Sequence, residues 1–249
     1  MVEKKTEKQG MNNWNERTSL LVGDASLQAL QQAHVLIVGV GGVGGYAAEM
    51  LCRAGIGQLT LIDMDMVTDS NINRQIYALH STIGERKVDL AIQRCLDINP
   101  AIKIEGIATF ITEETLPDFL AQHAFDFIVD AIDTLSPKCA LIYEALTRKI
   151  PIISSMGSGA KKDITQVRFG DLWETYHCGL SRAVRKRFKR MKFRRKLPVV
   201  FSTEKADIDS ILLVSEKNKK STAGTISYMP AIFGCYLAEY VIRKLSQHD

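Results

Sequence analysis

Short apolar runs alternate with helix-like stretches along the first 155 residues of the chain. Apolar segments rich in β-branched residues predict buried strands. They lie at 34–39, 58–63, 125–131 and 151–155, with a further one near 103–110. Between them, the apolar residues have the spacing that is typical of helices in four segments: 47–54, 85–98, 113–122 and 137–148. Strands that alternate with helices form mainly parallel sheets with right-handed crossovers. We therefore expect an α/β fold with a doubly wound, Rossmann-like, mainly parallel sheet.

The pattern changes beyond about residue 156. It predicts strand-like segments at 164–169, 199–202 and 211–214, a basic helix over 182–196 and an apolar helix at 228–242. We expect these elements to form a mixed or antiparallel C-terminal extension of the same domain. Residues 1–13 are polar and charged and predict a flexible tail, so a single domain is expected over 14–249.

Composition excludes several broad classes. The 249 residues are 46% hydrophobic and 24% charged, which excludes overall disorder. The N-terminus has no apolar signal segment, and the helix at 228–242 is shorter than the roughly 20 residues that span a bilayer. We therefore expect a cytoplasmic protein without membrane contact. Five scattered cysteines without a CxxC pair indicate a reducing compartment and no structural zinc: Cys52, Cys95, Cys139, Cys178 and Cys235.

A glycine-rich turn follows the first predicted strand directly and precedes the first helix of this region. Without side chains, such a turn lets backbone N–H groups and the helix N-terminus approach a phosphate, and the helix dipole favours its negative charge. The sequence GVGGVG therefore predicts phosphate binding at Gly39, Gly41, Gly42 and Gly44. A tight turn without a ligand is the alternative.

An acidic residue ends the second predicted strand. In doubly wound folds an acid at this position hydrogen-bonds a ribose hydroxyl, so Asp63, with Asp65 two residues later, fits a dinucleotide or ATP equally well. The following residues favour ATP, because a triphosphate and its pyrophosphate leaving group need additional cations. These groups are expected from Asn71, Arg74 and Gln75 in SNINRQ and from Lys87, although each cation alone would fit ordinary surface charge.

The end of the strand at 125–131 and the two residues after it have the sequence VDAID. Ligands of open α/β sheets bind beyond the carboxyl ends of strands, where a carboxylate can hold Mg²⁺ against phosphates. Asp133 lies past the strand and is better placed for this than Asp130. A helix N-cap is the alternative role for Asp133.

These motifs carry a family resemblance. Their order along the chain resembles that of the adenylating family that includes MoeB, ThiF, HesA and the catalytic half of ubiquitin-activating enzymes. The motifs that carry this resemblance are, in order, GVGGVG, LIDMDMV, SNINRQ, Lys87 and VDAIDT. The resemblance covers about 14–155. It implies binding of ATP and Mg²⁺, activation of a carboxylate as an acyl-adenylate with loss of pyrophosphate, and a homodimer. It further implies that Asp63 holds the ribose, Arg74 and Lys87 bind the phosphates, Asp133 holds the metal, and Arg17 reaches the triphosphate from the partner protomer.

The second half narrows the resemblance. Members that activate ubiquitin-like carriers commonly have two CxxC pairs for zinc, which this chain lacks. Three segments of the second half resemble tRNA threonylcarbamoyladenosine dehydratases instead: ISSMGSGAKKDITQVRFGDL, PVVFSTEK and STAGTISYMPAIFGCYLAEYVI. That resemblance implies a nucleotide-binding part at about 30–155 and a tRNA-binding C-terminal part at about 156–249. It implies that ATP activates the threonyl carboxylate of the modified adenosine beside the anticodon, and that an internal nucleophile closes a ring with net loss of water and without an enzyme thioester.

Residues 182–196 include ten basic residues and no acidic one, which favours contact with a polyanion over a solvated surface. Contacts with tRNA phosphates would supply affinity and salt dependence but little sequence information. Phe188 and Phe193 are expected to pack on the core, with base stacking as the alternative. The predicted tRNA-binding residues are Arg182, Arg185, Lys186, Arg187, Lys189 and Arg190.

Cys178 is next to His177, and we favour a structural thiol over a nucleophile there.

Three other functions stay open. Adenylation of the C-terminus of a sulfur-carrier protein would use the same ATP site, but it leaves the basic helix unexplained. A dinucleotide-dependent oxidoreductase shares the glycine turn and Asp63, but it leaves Arg17, Arg74 and Lys87 without a role. A non-catalytic tRNA or membrane-surface adaptor would show no ATP hydrolysis or exchange. The sequence leaves open which tRNAs are chosen and whether a monovalent cation or a sulfur-transfer protein takes part.

Overall fold

Helices and strands alternate from the second helix to the fifth strand. The computed structural model describes residues 14–216 and 219–246, and the predicted tail at 1–13 lies outside the described residues. The helices are α1 (Glu16–Val22), α2 (Asp24–Gln32), α3 (Gly44–Ala54), α4 (Lys87–Ile98), α5 (Leu116–Gln122), α6 (Leu135–Arg148), α7 (Gly179–Arg190) and α8 (Tyr228–Ser246). The strands are β1 (His34–Val38), β2 (Gln58–Ile62), β3 (Lys103–Ile107), β4 (Phe127–Asp130), β5 (Ile152–Ser155), β6 (Val167–Asp171), β7 (Pro198–Ser202), β8 (Ile211–Glu216) and β9 (Lys219–Ala223).

Seven strands form one sheet in the order β3-β2-β1-β4-β5-β7-β6. All neighbours pair in parallel except β6 and β7, which pair antiparallel. Strands β8 and β9 form a separate antiparallel hairpin. The prediction of a doubly wound, mainly parallel sheet with a mixed C-terminal extension is therefore confirmed. The strand order reverses between β1 and β4, which is where such sheets bind ligands.

Helices cover both faces of the sheet. One face packs against α2, α3, α4 and α8 in a core that includes Leu51 and Phe233. The other packs against α5, α6 and α7, with Leu141 and Phe188 among its buried residues. The central strands are apolar on both faces because each face meets a helix layer. Pairing of β5 with β7 brings both halves of the chain into one sheet.

The apolar helix predicted at 228–242 is confirmed as α8 and extends to Ser246. It packs along α3, and a Cβ on Gly234 would overlap the carbonyl oxygen of Val43. Glycine therefore permits the close approach of the two helices. None of the helices in the described ranges has both the length and the apolar character that a membrane span requires.

The prediction of a basic helix over 182–196 was wrong at both ends. Helix α7 begins at Gly179 and ends at Arg190. Lys192 then adopts a left-handed φ of 53°, and the N–H of Phe193 bonds to the carbonyl of Phe188 at 2.9 Å. The Phe193 ring meets Phe188 and Tyr143 at centroid distances of 5.3 and 4.9 Å. Core packing of both phenylalanines is thus confirmed, and it ends the helix by turning the chain back.

Candidate functional site

A cavity of about 720 Å³ lies beyond the carboxyl ends of the central strands. One end is formed by the glycine turn after β1, and the far end by residues 156–161 after β5 and by the start of α7. The β8–β9 hairpin adds Ile211, Thr222 and Ala223. The volume lies within the range of small-molecule sites, about 300–1,000 Å³. The residues predicted from sequence that line the cavity are Gly39, Gly41, Gly42, Asp63, Asp65, Asn71, Arg74, Gln75, Lys87 and Asp133.

The glycine turn owes its shape to two close backbone approaches. Gly39 has a φ of 90°, and a Cβ on it would lie 2.8 Å from the carbonyl oxygen of Ala131. A Cβ on Gly44, the first residue of α3, would overlap the carbonyl oxygen of Gly39. Because neither position accepts a side chain, the turn stays tight and the N-terminus of α3 stays directed at the cavity. That geometry suits a phosphate group.

Asp63 links the glycine turn to the loop after β2. Its carboxylate accepts the backbone N–H of Val40 at 2.6 Å and that of Asp65 at 2.8 Å. Burial raises the pKa of this carboxyl, and the nearby Lys87 ammonium and the two N–H groups oppose that rise. Carboxylate oxygens that each accept one N–H keep a lone pair for a further donor. The position therefore suits ribose hydroxyls.

Two cations face the glycine end of the cavity. The Lys87 side chain is 5% exposed, and its Nζ lies 2.7 Å from a carboxylate oxygen of Asp65. The Arg74 guanidinium donates to the carbonyl of Ser70 at 2.6 Å and to the side-chain oxygen of Asn73 at 2.9 Å. Asp65, predicted to bind the nucleotide, is thus in direct contact with Lys87 and orients its ammonium group.

The two aspartates after β4 have different environments. Asp133 is exposed and lines the cavity. Asp130 is fully buried, with its carboxylate 2.7 Å from Lys138 Nζ and accepting the Ser154 hydroxyl at 2.5 Å. Of the two carboxylates, only that of Asp133 faces the cavity, where a ligand could reach it.

A metal at this site would need ligands from the nucleotide. Within residues 14–216 and 219–246 no group of three or more His, Cys, Asp or Glu side chains could hold a metal ion. Mg²⁺ is usually bound by one or two carboxylates with substrate phosphates and waters. Asp133 supplies one carboxylate after β4, apart from Asp63 and Asp65 at the glycine end, which fits that pattern and does not fit a metal bound by protein side chains alone.

Some predicted site residues have other surroundings. Arg17 is exposed on α1 and is not among the residues that line the cavity of its own chain. The side-chain oxygen of Asn71, which does line the cavity, accepts the N–H of Thr68 at 3.3 Å within its own turn. The structure therefore brings the glycine turn, Asp63, Lys87 and Asp133 together, but not Arg17.

The predicted tRNA-binding residues divide into two groups on α7. Arg185 donates to the carbonyl of Leu172 at 3.1 Å and to the Thr175 hydroxyl, and Arg187 pairs with Glu113. The remaining four are exposed and together with Arg185 line a groove on the surface: Arg182, Lys186, Lys189 and Arg190.

Sequence reasoning missed most of the far end of the cavity. Lys161 is buried there and donates to the carbonyls of Ser202 at 3.1 Å and Glu204 at 2.5 Å. Burial lowers the pKa of its ammonium group. The Cys178 thiol accepts the N–H of Ser181 at 3.5 Å and caps α7, which supports the structural role favoured for it. The glycines in GSGA, directly after a buried strand, were the available signal for this end.

Comparisons with known proteins point to one family. The ThiF family model matches residues 15–249. The tRNA threonylcarbamoyladenosine dehydratase of Bacillus subtilis strain 168 is 35% identical over 237 residues, covering 92% of this chain and 93% of that protein. The crystal structure of the E. coli dehydratase TcdA in complex with ATP has a TM-score of 0.84 at 33% identity, covering 93% of this chain and 94% of that one. The molybdopterin-synthase adenylyltransferase of Escherichia coli strain K12 is 34% identical over 151 residues, 61% of this chain and 60% of that protein. The chain therefore belongs to the ThiF family.

Proposed function

We propose that this chain is an ATP-dependent tRNA threonylcarbamoyladenosine dehydratase. The observation that carries the proposal is one continuous cavity that joins the glycine turn to the start of the basic helix α7. An enzyme that uses ATP to modify tRNA needs a nucleotide site beside a surface for a polyanion. Similarity to proteins named for this activity over more than nine-tenths of the chain supports it, whereas the molybdopterin-synthase adenylyltransferase matches a smaller part.

The glycine end binds ATP in this proposal. The turn formed by Gly39, Gly41, Gly42 and Gly44 offers N–H groups to phosphate oxygens, and Asp63 accepts the ribose hydroxyls. Arg74 and Lys87 neutralise charge that develops as pyrophosphate leaves. Such prepositioned charges are often the largest contribution to catalysis, because they need no reorganisation during the reaction.

Asp133 holds Mg²⁺ together with the phosphates. When bound, the metal would withdraw charge from the phosphate oxygens. Asp133 is suited to this role because it lies in the loop after β4. In the sheet, β4 lies between β1, which leads into the glycine turn, and β5, which leads to the far end of the cavity. A monovalent cation and a sulfur-transfer protein partner remain predictions to which we assign no residues.

The proposed reaction balances without a covalent bond to the protein. A carboxylate oxygen of the threonyl group bonds to the α-phosphorus of ATP as the bond to pyrophosphate breaks. An internal nucleophile of the substrate then attacks the activated carbonyl carbon, AMP leaves with the former carboxylate oxygen, and the proton of the nucleophile is released. The sum is loss of one water from the nucleoside. The side chains therefore need only hold the reactants in position and compensate charge.

In this proposal the exposed cations of α7 bind phosphates of the tRNA.

Residues 14–249 act as one adenylating domain, and two copies of the chain form a homodimer in the cytoplasm. The dimer is supported by α1, where Leu20 and Leu21 are 71% and 87% exposed beside Arg17. A second copy of the chain that packs on α1 would cover these apolar side chains. Arg17 would then reach the cavity of the partner.

Nucleoside mass spectrometry tests the function. Modified tRNA is incubated with the protein, Mg²⁺ and ATP under a workup that preserves a labile ring, and we expect ATP-dependent loss of one water. Asp133→Ala should abolish the change, whereas Asp118→Ala, an exposed carboxylate on α5, should not. No mass change, together with ATP–pyrophosphate exchange that depends on a sulfur-carrier protein, would contradict the dehydratase and support carrier adenylation.

A further inference from the structure

One aromatic ring at the far end of the cavity and one directly beside it have no role in the proposed ATP site. Tyr176 is 47% exposed, and His177, also exposed, lines the cavity. Their ring centroids are 5.1 Å apart in an edge-to-face arrangement. Tyr176 also meets the ring of Phe201, a buried residue of β7, at 5.8 Å. The Tyr176 ring is therefore supported by the sheet while a large part of its surface stays available.

The backbone holds His177 in an uncommon conformation. Its φ of 53° lies in the left-handed region, which residues with a side chain seldom adopt. Its carbonyl accepts a hydrogen bond at 3.4 Å from Lys161, whose ammonium is also bound to the carbonyls of Ser202 and Glu204. These contacts fix the turn from the side of β7. Conformational strain that the surroundings impose at a cavity wall is a common feature of ligand-binding positions.

Helix α7 begins directly after these rings and leads away from the cavity. The Cys178 thiol accepts the N–H of Gly157 at 3.4 Å, which attaches the start of the helix to the cavity wall. The helix has 12 residues and extends for about 18 Å. Its exposed cations therefore form a row that starts beside the two rings: Arg182, Lys186, Lys189 and Arg190.

We propose that the Tyr176 ring, with the nearly perpendicular His177 ring beside it, forms a stacking platform for the base of the modified nucleoside, and that α7 binds the neighbouring phosphates. Single-stranded RNA is recognised by stacking of unpaired bases on aromatic side chains next to cations that follow the backbone. A base on this platform would direct its carboxylate-bearing side chain along the cavity to the glycine end. The assignment rests on the proposed function and names the substrate end of the same site.

Equilibrium binding of an anticodon stem-loop RNA that carries threonylcarbamoyladenosine tests the platform. Removal of a stacking ring by Tyr176→Ala should weaken RNA binding about 5- to 150-fold. Tyr176→Phe, which keeps the ring, should bind within about twofold of the unchanged protein. His177→Asn removes the second ring with a residue that tolerates the left-handed backbone, and should also weaken binding. Phe169→Ala, which removes a ring that is 36% exposed on the edge strand β6, is the matched control and should have no effect.

Two further readouts separate stacking from a structural role. Stacking releases no counterions, so Tyr176→Ala should leave the salt dependence of RNA binding and the affinity for ATP unchanged. Tyr176→Trp keeps a ring, and its added fluorescence should be quenched by the RNA. Absence of quenching, or full affinity in both Tyr176→Ala and His177→Asn, would overturn the platform even if dehydration occurs. Ring-dependent binding without dehydration would support the platform and contradict the proposed function.

Discussion

The Nζ of Lys138 lies 2.7 Å from the carboxylate of Asp130, and both side chains are fully buried. The same ammonium donates to the carbonyl of Ile132 at 2.8 Å, while the Asp130 carboxylate accepts the N–H of Ile132 at 3.1 Å. The pair thus binds both polar backbone groups of the residue before Asp133. An exposed carboxylate of the cavity is therefore positioned by an ion pair beneath it.

Loss of one partner of this pair should be severe. We expect Lys138→Met to lower the free energy of unfolding by about 3–5 kcal/mol, because it leaves the Asp130 carboxylate buried without its counter-charge. Urea denaturation measures the loss. Lys162→Met is the matched control, since its side chain is 73% exposed and its ion pair with Asp207 should contribute less than about 1 kcal/mol. Similar losses in both variants would contradict the importance of burial.

The buried ammonium of Lys87 should matter more than its partner. Lys87→Met is expected to lower kcat/KM for ATP about 100- to 1,000-fold, as loss of a prepositioned charge does at other active sites. Asp65→Asn keeps the ammonium and should have a much smaller effect. Lys103→Met, an exposed lysine of β3, is the control. If Asp65→Asn is as defective as Lys87→Met, the ion pair rather than the cation alone is required.

Stability should fall in mildly acidic solution through His34. Its Nε2 lies 2.9 Å from the Thr60 hydroxyl oxygen, and burial lowers its pKa from 6.5 although the Asp126 carboxylate opposes this. The folded protein then binds a proton less readily than the unfolded chain, so this contribution to stability is complete above pH 6.5 and is lost as pH falls through the lowered pKa. We expect His34→Gln to flatten the fall in Tm below that pH. His80→Gln, an exposed histidine, should reproduce the unchanged profile.

The nucleotide end of the site could be predicted because its residues follow strand ends. Parallel strands bring their carboxyl ends to one edge, so Asp63 and Asp133 are neighbours of the glycine turn in space once the strand pattern is known. The pairing of Asp130 with Lys138 could not be predicted, because a lysine in a helical segment has the same pattern whether it is exposed or buried. The far end was missed since its position depends on the pairing of β5 with β7, which no local pattern indicates.

The salt dependence of RNA binding should identify the cations that contact phosphates. Lys186→Gln combined with Lys189→Gln removes two exposed charges of α7 and should reduce the slope of log affinity against log salt by about 1.4–1.8. Arg187→Gln should change the slope by less than the value of about 0.7–0.9 expected for one phosphate-binding cation, because Arg187 pairs with Glu113. The paired control, Lys103→Gln with Lys149→Gln, removes two exposed charges elsewhere. An equal change in slope for both double variants would indicate a general charge effect.

A shared site between protomers has a quantitative consequence for Arg17. If Arg17 acts on the cavity of its partner, Arg17→Ala and Lys87→Ala are each inactive alone. In an equal mixture after subunit exchange, half of the dimers contain one protomer of each kind, and each of these has one intact site of two. Activity should therefore return to about a quarter of the original value. Mixing Lys87→Ala with a chain that carries both substitutions supplies no intact site and should restore nothing. If folded, dimeric variants show no recovery in the first mixture, Arg17 acts within its own chain or outside the reaction.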